Sequence, residues 1–323
     1  MTTSTSAMDT TSSRALKLPP IMLGCNRLGA EIDVASSVRL LSEAEDCGVT
    51  TFDTAQHYTD GASEEIVGRF LRRTRGRFIV STKFGYDAGG LGKSVPAVNS
   101  GSPKYIRASL EASLKRLATD YVDLYNYHVM DEVTPIEETL GALNDLIVEG
   151  KIRELGGCSM PAWRYIDAQW SARVIGAKGF AYVHYEYNLL NRGVEREVVP
   201  ALLRGQSSMI AFFPLAAGLL TGKYASKGCI PTGSRFERDS RHRQQFLTDG
   251  NLDIITRLQD VVSNLGRPLG EVALNWLASR PSVASMVCGV SAPSQLRQSV
   301  QALEMPLSGD ELDLLEAAVK PAA

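Results

Sequence analysis

"TTFDTAQHYTDGASEE", residues 50–65, contains a complete change of secondary structure. Thr50, Thr51 and Phe52 are β-branched or aromatic and read as the end of a strand. Ser63, Glu64 and Glu65 read as the start of a helix, which runs on as "SEEIVGRFLRR" with apolar residues three and four positions apart. A strand that passes into an amphipathic helix is one β–α unit, and the rest of the chain repeats it. Strands are expected over 21–25, 50–54, 78–84, 121–128, 152–159, 181–187, 208–215 and 283–290. Between them lie amphipathic stretches such as "ASSVRLLSEAEDCG", "SPKYIRASLEASLKRLA" and "PIEETLGALNDLIVEG". Several open with Ser or Pro and close near Gly, as helices do.

Eight strand-then-helix units with no break in composition predict an α/β fold of the (β/α)8, or TIM-barrel, type in one domain over residues 19–323. The alternative is a doubly wound sheet. That fold normally carries a Gly-x-Gly-x-x-Gly turn after its first strand, and "MLGCNRLGAE" (22–31) lacks it. Two segments fall outside the repeat. Residues 84–104 form a Gly/Ser-rich connection after strand three. Residues 222–250 form another after strand seven, followed by an extra helix near 251–265. Long loops after strands usually lie over the active site in this fold. "SGDELDLLEAAVK" reads as a closing helix, with Ser308 as N-cap and Glu311 at the capping-box position. Residues 1–18, "MTTSTSAMDTTSSRALKL", are Ser/Thr-rich and read as a flexible tail rather than a targeting peptide.

The 323-residue chain is 44% hydrophobic and 22% charged, which supplies one large core. A net charge of −2 gives no electrostatic reason to expect nucleic acid or an anionic membrane as a partner. No apolar run is long enough for a membrane span. The five cysteines, at 25, 47, 158, 229 and 288, form no Cys-x-x-Cys pair, so reduced thiols in a cytoplasm are expected. The four histidines include no i, i+4 pair, and no metal site is expected.

Three local patterns have plainer readings. "GGLGKS" (89–94) ends like a phosphate-binding loop, but the full pattern needs glycine at Asp87, so it reads as a flexible connection. "GCSMP" (157–161) is close to a nucleophile elbow but has Pro161 in place of the last glycine. His242, in the charged run "RDSRHRQQ", reads as a solvated loop residue. The barrel supplies a sharper test, because functional groups collect at the C-terminal ends of its strands. Asp53 ends strand two, Lys83 lies at the end of strand three and His128 ends strand four, with Tyr58 just beyond strand two. Taken singly, Asp53 is a helix cap, Lys83 a solvated lysine and His128 a core residue. Together they share one rim on adjacent strands. His57, beside Tyr58 in a tight turn, reads as a surface residue whose replacement should do little.

At these residues the sequence resembles the aldo-keto reductase family. The resemblance covers roughly residues 20–305 and rests on "FDTA", "STK", "DLYNYH", "GKIRELGGCS", "EYNLLNR", "FPLAAGLLTGKY" and "VSAPSQLRQS" in this order. "GLLTGKY" is similar to a long-loop branch that includes potassium-channel β-subunits and natural-product ketoreductases. The resemblance implies a metal-free barrel enzyme that uses NADPH, less often NADH, to reduce a small-molecule carbonyl to an alcohol. It implies that Asp53, Tyr58, Lys83 and His128 form the catalytic tetrad. Tyr58 then donates the proton, with its pKa of about 10 lowered by the Lys83 ammonium. Asp53 holds Lys83, and His128 orients the carbonyl.

The resemblance assigns cofactor contacts to Gly24, Cys25 and Asn26 after the first strand, and to Ser159, Met160 and His184 near the carboxamide. Phe212 is the ring that stacks on the nicotinamide. Pro214, Leu215, Gly218, Thr221, Lys223 and Arg235 surround the pyrophosphate. Ser291, Gln295, Gln298 and Ser299 hold the adenosine end, where a helix start near Pro293 favours a phosphate. Phe84, Tyr86, Trp163 and Phe213 are the candidates for the substrate pocket. Met160 and Ser299 replace asparagines usual in the family, and His184 a glutamine. The first and last of these three positions differ in consequence: Met160 and His184 imply an altered grip on the carboxamide. A keto group on a natural product or deoxysugar fits the resemblance. A cofactor-binding regulatory subunit and an alcohol or sugar dehydrogenase are the alternatives, and a homo-oligomer is compatible with it.

Overall fold

A computed structural model of the chain describes residues 16–72, 74–87, 95–224 and 230–320. The "GGLGKS" stretch, Cys229 and most of the N-terminal tail lie outside the described residues. All eight expected strands are present: β1 (Ile21–Gly24), β2 (Thr51–Asp53), β3 (Ile79–Phe84), β4 (Val122–Tyr127), β5 (Ile152–Cys158), β6 (Tyr182–Glu186), β7 (Ser208–Phe212) and β8 (Val283–Cys288). Each pairs in parallel with its sequence neighbour, and β1 pairs with β8 to close the barrel. Helices follow the strands, so the chain is a (β/α)8 barrel.

Register decides which side chains meet at the mouth. Gly24 lies opposite Asp53, Asp53 opposite Ser81, and Lys83 opposite Asn126. Side chains alternate along a strand, so each inward polar residue has an outward apolar neighbour. Phe52 stacks on Phe78 at 5.2 Å, whereas Asp53 takes part in a polar network with Lys83. Inside the barrel, Met22, Leu124 and Ile210 are fully buried and form one small cluster, with Leu16 and Leu18 packed against it. The larger apolar cluster includes Phe52, Val80, Leu110 and Leu143.

Local chemistry sets the helix positions. Asp33, Ser102 and Thr248 cap the helices Val34–Asp46, Pro103–Leu117 and Asp249–Leu265 through their side chains. Ser308 and Glu311 form the expected capping box on Gly309–Val319. Gly68 lets the helix Ala62–Leu71 approach Pro103–Leu117, since a Cβ there would sit 2.5 Å from the Arg116 carbonyl oxygen. The described parts of the long connections carry secondary structure. Tyr86–Asp87 pairs antiparallel with Val95–Pro96. After β7 the described residues include a 3-10 helix, Ala216–Thr221, and two short α-helices, Arg235–Arg238 and Ser240–Phe246, before the extra helix begins at Asp249. Among the described residues, no helix is long and apolar enough to cross a membrane.

Candidate active site

Asp53, Lys83 and His128 stand at the C-terminal ends of β2, β3 and β4, with Tyr58 in the turn that follows β2. That turn takes an uncommon path. Thr59 and Asp60 adopt left-handed backbone at φ 51° and 52°, and Gly61 follows at φ 90°. A left-handed non-glycine residue costs about 1–3 kcal/mol and is held by its surroundings. Here the Thr59 hydroxyl lies 2.9 Å from the Leu28 carbonyl and accepts from the Ser63 amide at 3.0 Å. The turn is thereby tied to both the β1 loop and the next helix.

Lys83 Nζ donates to Asp53 Oδ2 at 2.6 Å and to the Thr54 carbonyl at 2.8 Å. The Ser81 hydroxyl donates to Asp53 Oδ1 at 2.8 Å, and Asn126 Nδ2 donates to Ser81 Oγ at 3.0 Å. The side chains of the ion pair are only 3% and 5% exposed, so the charges are desolvated and held by direct partners. Lys83 Nζ also lies 5.1 Å from the centre of the Tyr58 ring.

These positions shift the titrations. Burial works against the Lys83 cation, but Asp53, Tyr58 and Cys158 outweigh it and hold the lysine pKa above its ordinary value. Burial pushes Tyr58 up to about 12, and the opposing effect of Lys83 offsets only part of that rise. The expected lowering is therefore corrected: desolvation of the phenolate exceeds the ammonium's attraction, and the phenol keeps its proton at neutral pH. Burial, assisted by Lys83, pushes His128 well below its ordinary range. His184 falls to about 4 for the same leading reason, although nearby Asp53 opposes the shift.

A cavity of about 1250 Å³ opens above this group and extends along the C-terminal ends of β7 and β8. Asp53, Tyr58, Lys83 and His128 line it. So do Gly24, Cys25, Asn26, Ser159, His184, Phe212, Pro214, Leu215, Gly218, Thr221, Lys223 and Arg235, together with Ser291, Gln295, Gln298 and Ser299. Tyr86 and Phe213 line it as well. His184 Nε2 is buried, lies 4.0 Å from Asp53 Oδ1 and has no hydrogen-bond partner among the described residues. Gln295 Oε1 accepts from the amide and hydroxyl of Ser291 at 2.8 and 3.1 Å, at the start of the helix Pro293–Ala302.

Three of the expected residues do not line this cavity. Phe84 is buried between Tyr125 and Tyr127, with ring centres 4.7 and 4.6 Å away, because it points opposite to Lys83 along β3. Met160 is 3% exposed and occupies the space beside Gly157, where an added Cβ would lie 2.1 Å from its terminal methyl. Trp163 is 69% exposed and borders a separate cavity of about 250 Å³ with Tyr127, Asp131 and Arg164.

Two histidines also depart from expectation. His57 is partly buried against Tyr58, Tyr86 and His128 rather than being a surface residue. His242 lies on the helix Ser240–Phe246, where Nδ1 is 2.6 Å from Asp239 Oδ2 and its ring meets Phe213 at 5.2 Å. The sequence reading missed Arg27, Arg238 and Glu271 in the cavity wall. Arg27 and Arg238 both pair with Glu31, at 2.7 and 3.4 Å. The available signal was an arginine directly after the "GCN" that closes strand one.

The barrel, the ion pair at its mouth and the elongated cavity agree with the sequence comparisons. Residues 20–320 match the model of the aldo/keto reductase family, and the chain belongs to that family. It is 36% identical over 306 residues to L-glyceraldehyde 3-phosphate reductase of Escherichia coli (strain K12), covering 89% of this chain and 85% of that protein. It is 36% identical over 300 residues to a probable voltage-gated potassium channel subunit beta of Oryza sativa subsp. japonica, covering 90% of each. Versiconal hemiacetal acetate reductase of Aspergillus parasiticus is 31% identical over 332 residues, with 95% of each chain covered. Family and relatives support an oxidoreductase acting on a carbonyl with a nicotinamide cofactor.

Proposed function

We propose that the protein is an NADPH-dependent carbonyl reductase in which Tyr58 is the general acid. The observation that carries this reading is the buried Lys83–Asp53 pair beside the Tyr58 ring, with His128 on the same cavity wall. Bound NADPH would supply a hydride to the carbonyl carbon. The chain's own residues then manage the oxygen. Tyr58, protonated at neutral pH, donates its proton to the developing alkoxide. Lys83 stabilises the phenolate that remains, and Asp53 keeps Lys83 charged and in place. His128 is neutral and orients the carbonyl oxygen through a ring N–H.

The cavity suits a dinucleotide in size and in the order of its lining groups. His184 Nε2 offers an unpaired nitrogen for the carboxamide end, in place of a contact from buried Met160. Phe212 offers a ring, and Lys223 and Arg235 supply cations for phosphates. Tyr86, His128, Val129 and Phe213 surround the substrate end, where rings favour a carbonyl on a planar or apolar body. The keto group of a natural product belongs to that class, and one relative is named a versiconal hemiacetal acetate reductase.

The similarity to a channel subunit favours a second reading, a cofactor-binding regulatory protein with slow residual turnover. A panel of aldehydes and ketones, followed by loss of NADPH absorbance, separates the two. Sustained multiple turnover supports the reductase. A single slow turnover across the whole panel favours the regulatory reading.

A further inference from the structure

The turn that carries Tyr58 holds a second ring directly beside it. The His57 imidazole meets Tyr58 at 4.8 Å and 65°, Tyr86 at 4.6 Å and 39°, and His128 at 4.9 Å and 48°. Tyr86 and His128 meet at 5.0 Å, whereas Tyr58 and His128 are 6.1 Å apart. His57 is therefore the common neighbour of the rings that face the carbonyl position. It is partly buried and is not among the residues that line the cavity with Tyr58, Tyr86 and His128.

The backbone around His57 reinforces this arrangement. The Gln56 amide donates to the Lys83 carbonyl at 3.2 Å, and Gln56 Nε2 donates to the Tyr86 carbonyl. The Tyr58 amide donates to the Ala55 carbonyl at 3.1 Å. One residue thus fixes the Tyr86 main chain while the next packs against its ring. His57 Nδ1 is buried without a hydrogen-bond partner among the described residues, so the ring faces rather than that nitrogen make the contacts. Burial, assisted by Lys83, holds the imidazole neutral at pH 7, which keeps a second cation away from Lys83.

We propose that His57 is a positioning residue whose ring holds Tyr58 and His128 at the angle from which both reach one carbonyl oxygen. This rests on the reading of Tyr58 as proton donor. Removing the ring would leave a gap bounded by three aromatic side chains, each then able to tilt. A displacement of about 1 Å at a reacting group can cost about 10²-fold in rate. The effect is expected in kcat, because His57 packs on Tyr58 and His128 and does not line the cavity.

The test compares His57→Ala, His57→Phe and Tyr58→Phe in the full chain, with NADPH and any ketone that the wild type turns over. The measurements are kcat, KM for the ketone, NADPH affinity by fluorescence quenching, and melting temperature. The expected result is a kcat loss of about 10²-fold in His57→Ala with NADPH affinity kept, and recovery of most of that loss in His57→Phe. Full kcat in His57→Ala with an inactive Tyr58→Phe overturns the positioning role and leaves the mechanism standing. Equal kcat losses in Ala and Phe, with binding kept, assign the role to the imidazole nitrogen and overturn ring packing. Loss of NADPH affinity and melting temperature in both reduces His57 to a structural residue. Full activity in Tyr58→Phe overturns the mechanism itself.

Discussion

The barrel buries a carboxylate near each end, Asp53 and Asp123, and the two are treated differently. At the N-terminal end, Asp123 is fully buried and accepts from Arg75 at 2.7 Å, Arg153 at 2.6 Å and the Val80 amide at 2.9 Å. Both guanidinium groups also lie 4.1 Å from the Tyr121 ring. Asp123 is saturated by these partners. At the C-terminal end, Asp53 has Lys83 and Ser81, but the groups around it are left incomplete. His57 Nδ1, His128 Nδ1 and His184 Nε2 are all buried without partners among the described residues. Buried polar atoms are paired in almost every setting where only stability matters. The end that tolerates unpaired nitrogens is the end with the large cavity, and that contrast separates a brace from a site.

Substitutions at the two ends should fail in different ways. The largest effect on turnover is expected for Lys83→Met, at about 10²–10⁴-fold, because Tyr58 loses the cation that stabilises its phenolate. Stopped-flow rates at saturating NADPH check this, and near-wild-type chemistry would erase the distinction between the ends. Asp123→Asn is the converse. Removing one partner of a buried pair costs about 3 kcal/mol of folding stability, toward the low end of the usual range because Arg153 is half exposed. Turnover per folded molecule should be unchanged. Urea melts and active-site titration measure the two quantities separately.

Acid should weaken the mouth. His57 and His184 have folded pKa values of about 4, below the ordinary histidine value of 6.5. Between pH 6.5 and 4 the unfolded chain binds protons that these folded imidazoles refuse. Their contribution is therefore fully present above pH 6.5 and is lost as pH falls toward 4. His184 alone should account for about 2 kcal/mol between pH 7 and 4.5. Denaturant melts of wild type and His184→Gln measure it, the variant losing less on acidification. Parallel losses would show that His184 is not held neutral. The smallest predicted effect is the cofactor choice. Charge-assisted bonds from the Lys223, Arg235 and Ser291–Gln295 region to a 2′-phosphate should favour NADPH over NADH by about tenfold in kcat/KM. Equality of the two would remove the phosphate from the proposal.

The rim residues were legible because strand ends and a β–α repeat determine which positions converge. Asp53, Lys83 and His128 needed only the barrel to be placed together. Phe84 was misread although the rule that places it was available: next to an inward Lys83, a strand neighbour points outward, and it stacks between Tyr125 and Tyr127. Met160 lies past the end of β5, after a left-handed Ser159, so strand alternation does not place it; it packs beside Gly157. Trp163 and His57 were not legible in this way. One depends on how the helix Ala162–Val174 is turned, the other on rings from three separate segments. The direction of the Tyr58 shift was hidden for a related reason. The charge beside it can be named from the sequence, but the depth of its burial cannot.

The central claim is that Tyr58 supplies the proton that accompanies hydride transfer. Tyr58→Phe keeps the ring and its contact with His57 and removes only the hydroxyl. Single-turnover reduction of a reactive ketone, with NADPH saturating and its binding measured in parallel, reports the chemical step. The predicted result is unchanged NADPH affinity with hydride transfer slowed by about 10²–10⁴-fold. A Tyr58→Phe protein that binds NADPH and transfers hydride at the wild-type rate would contradict the claim.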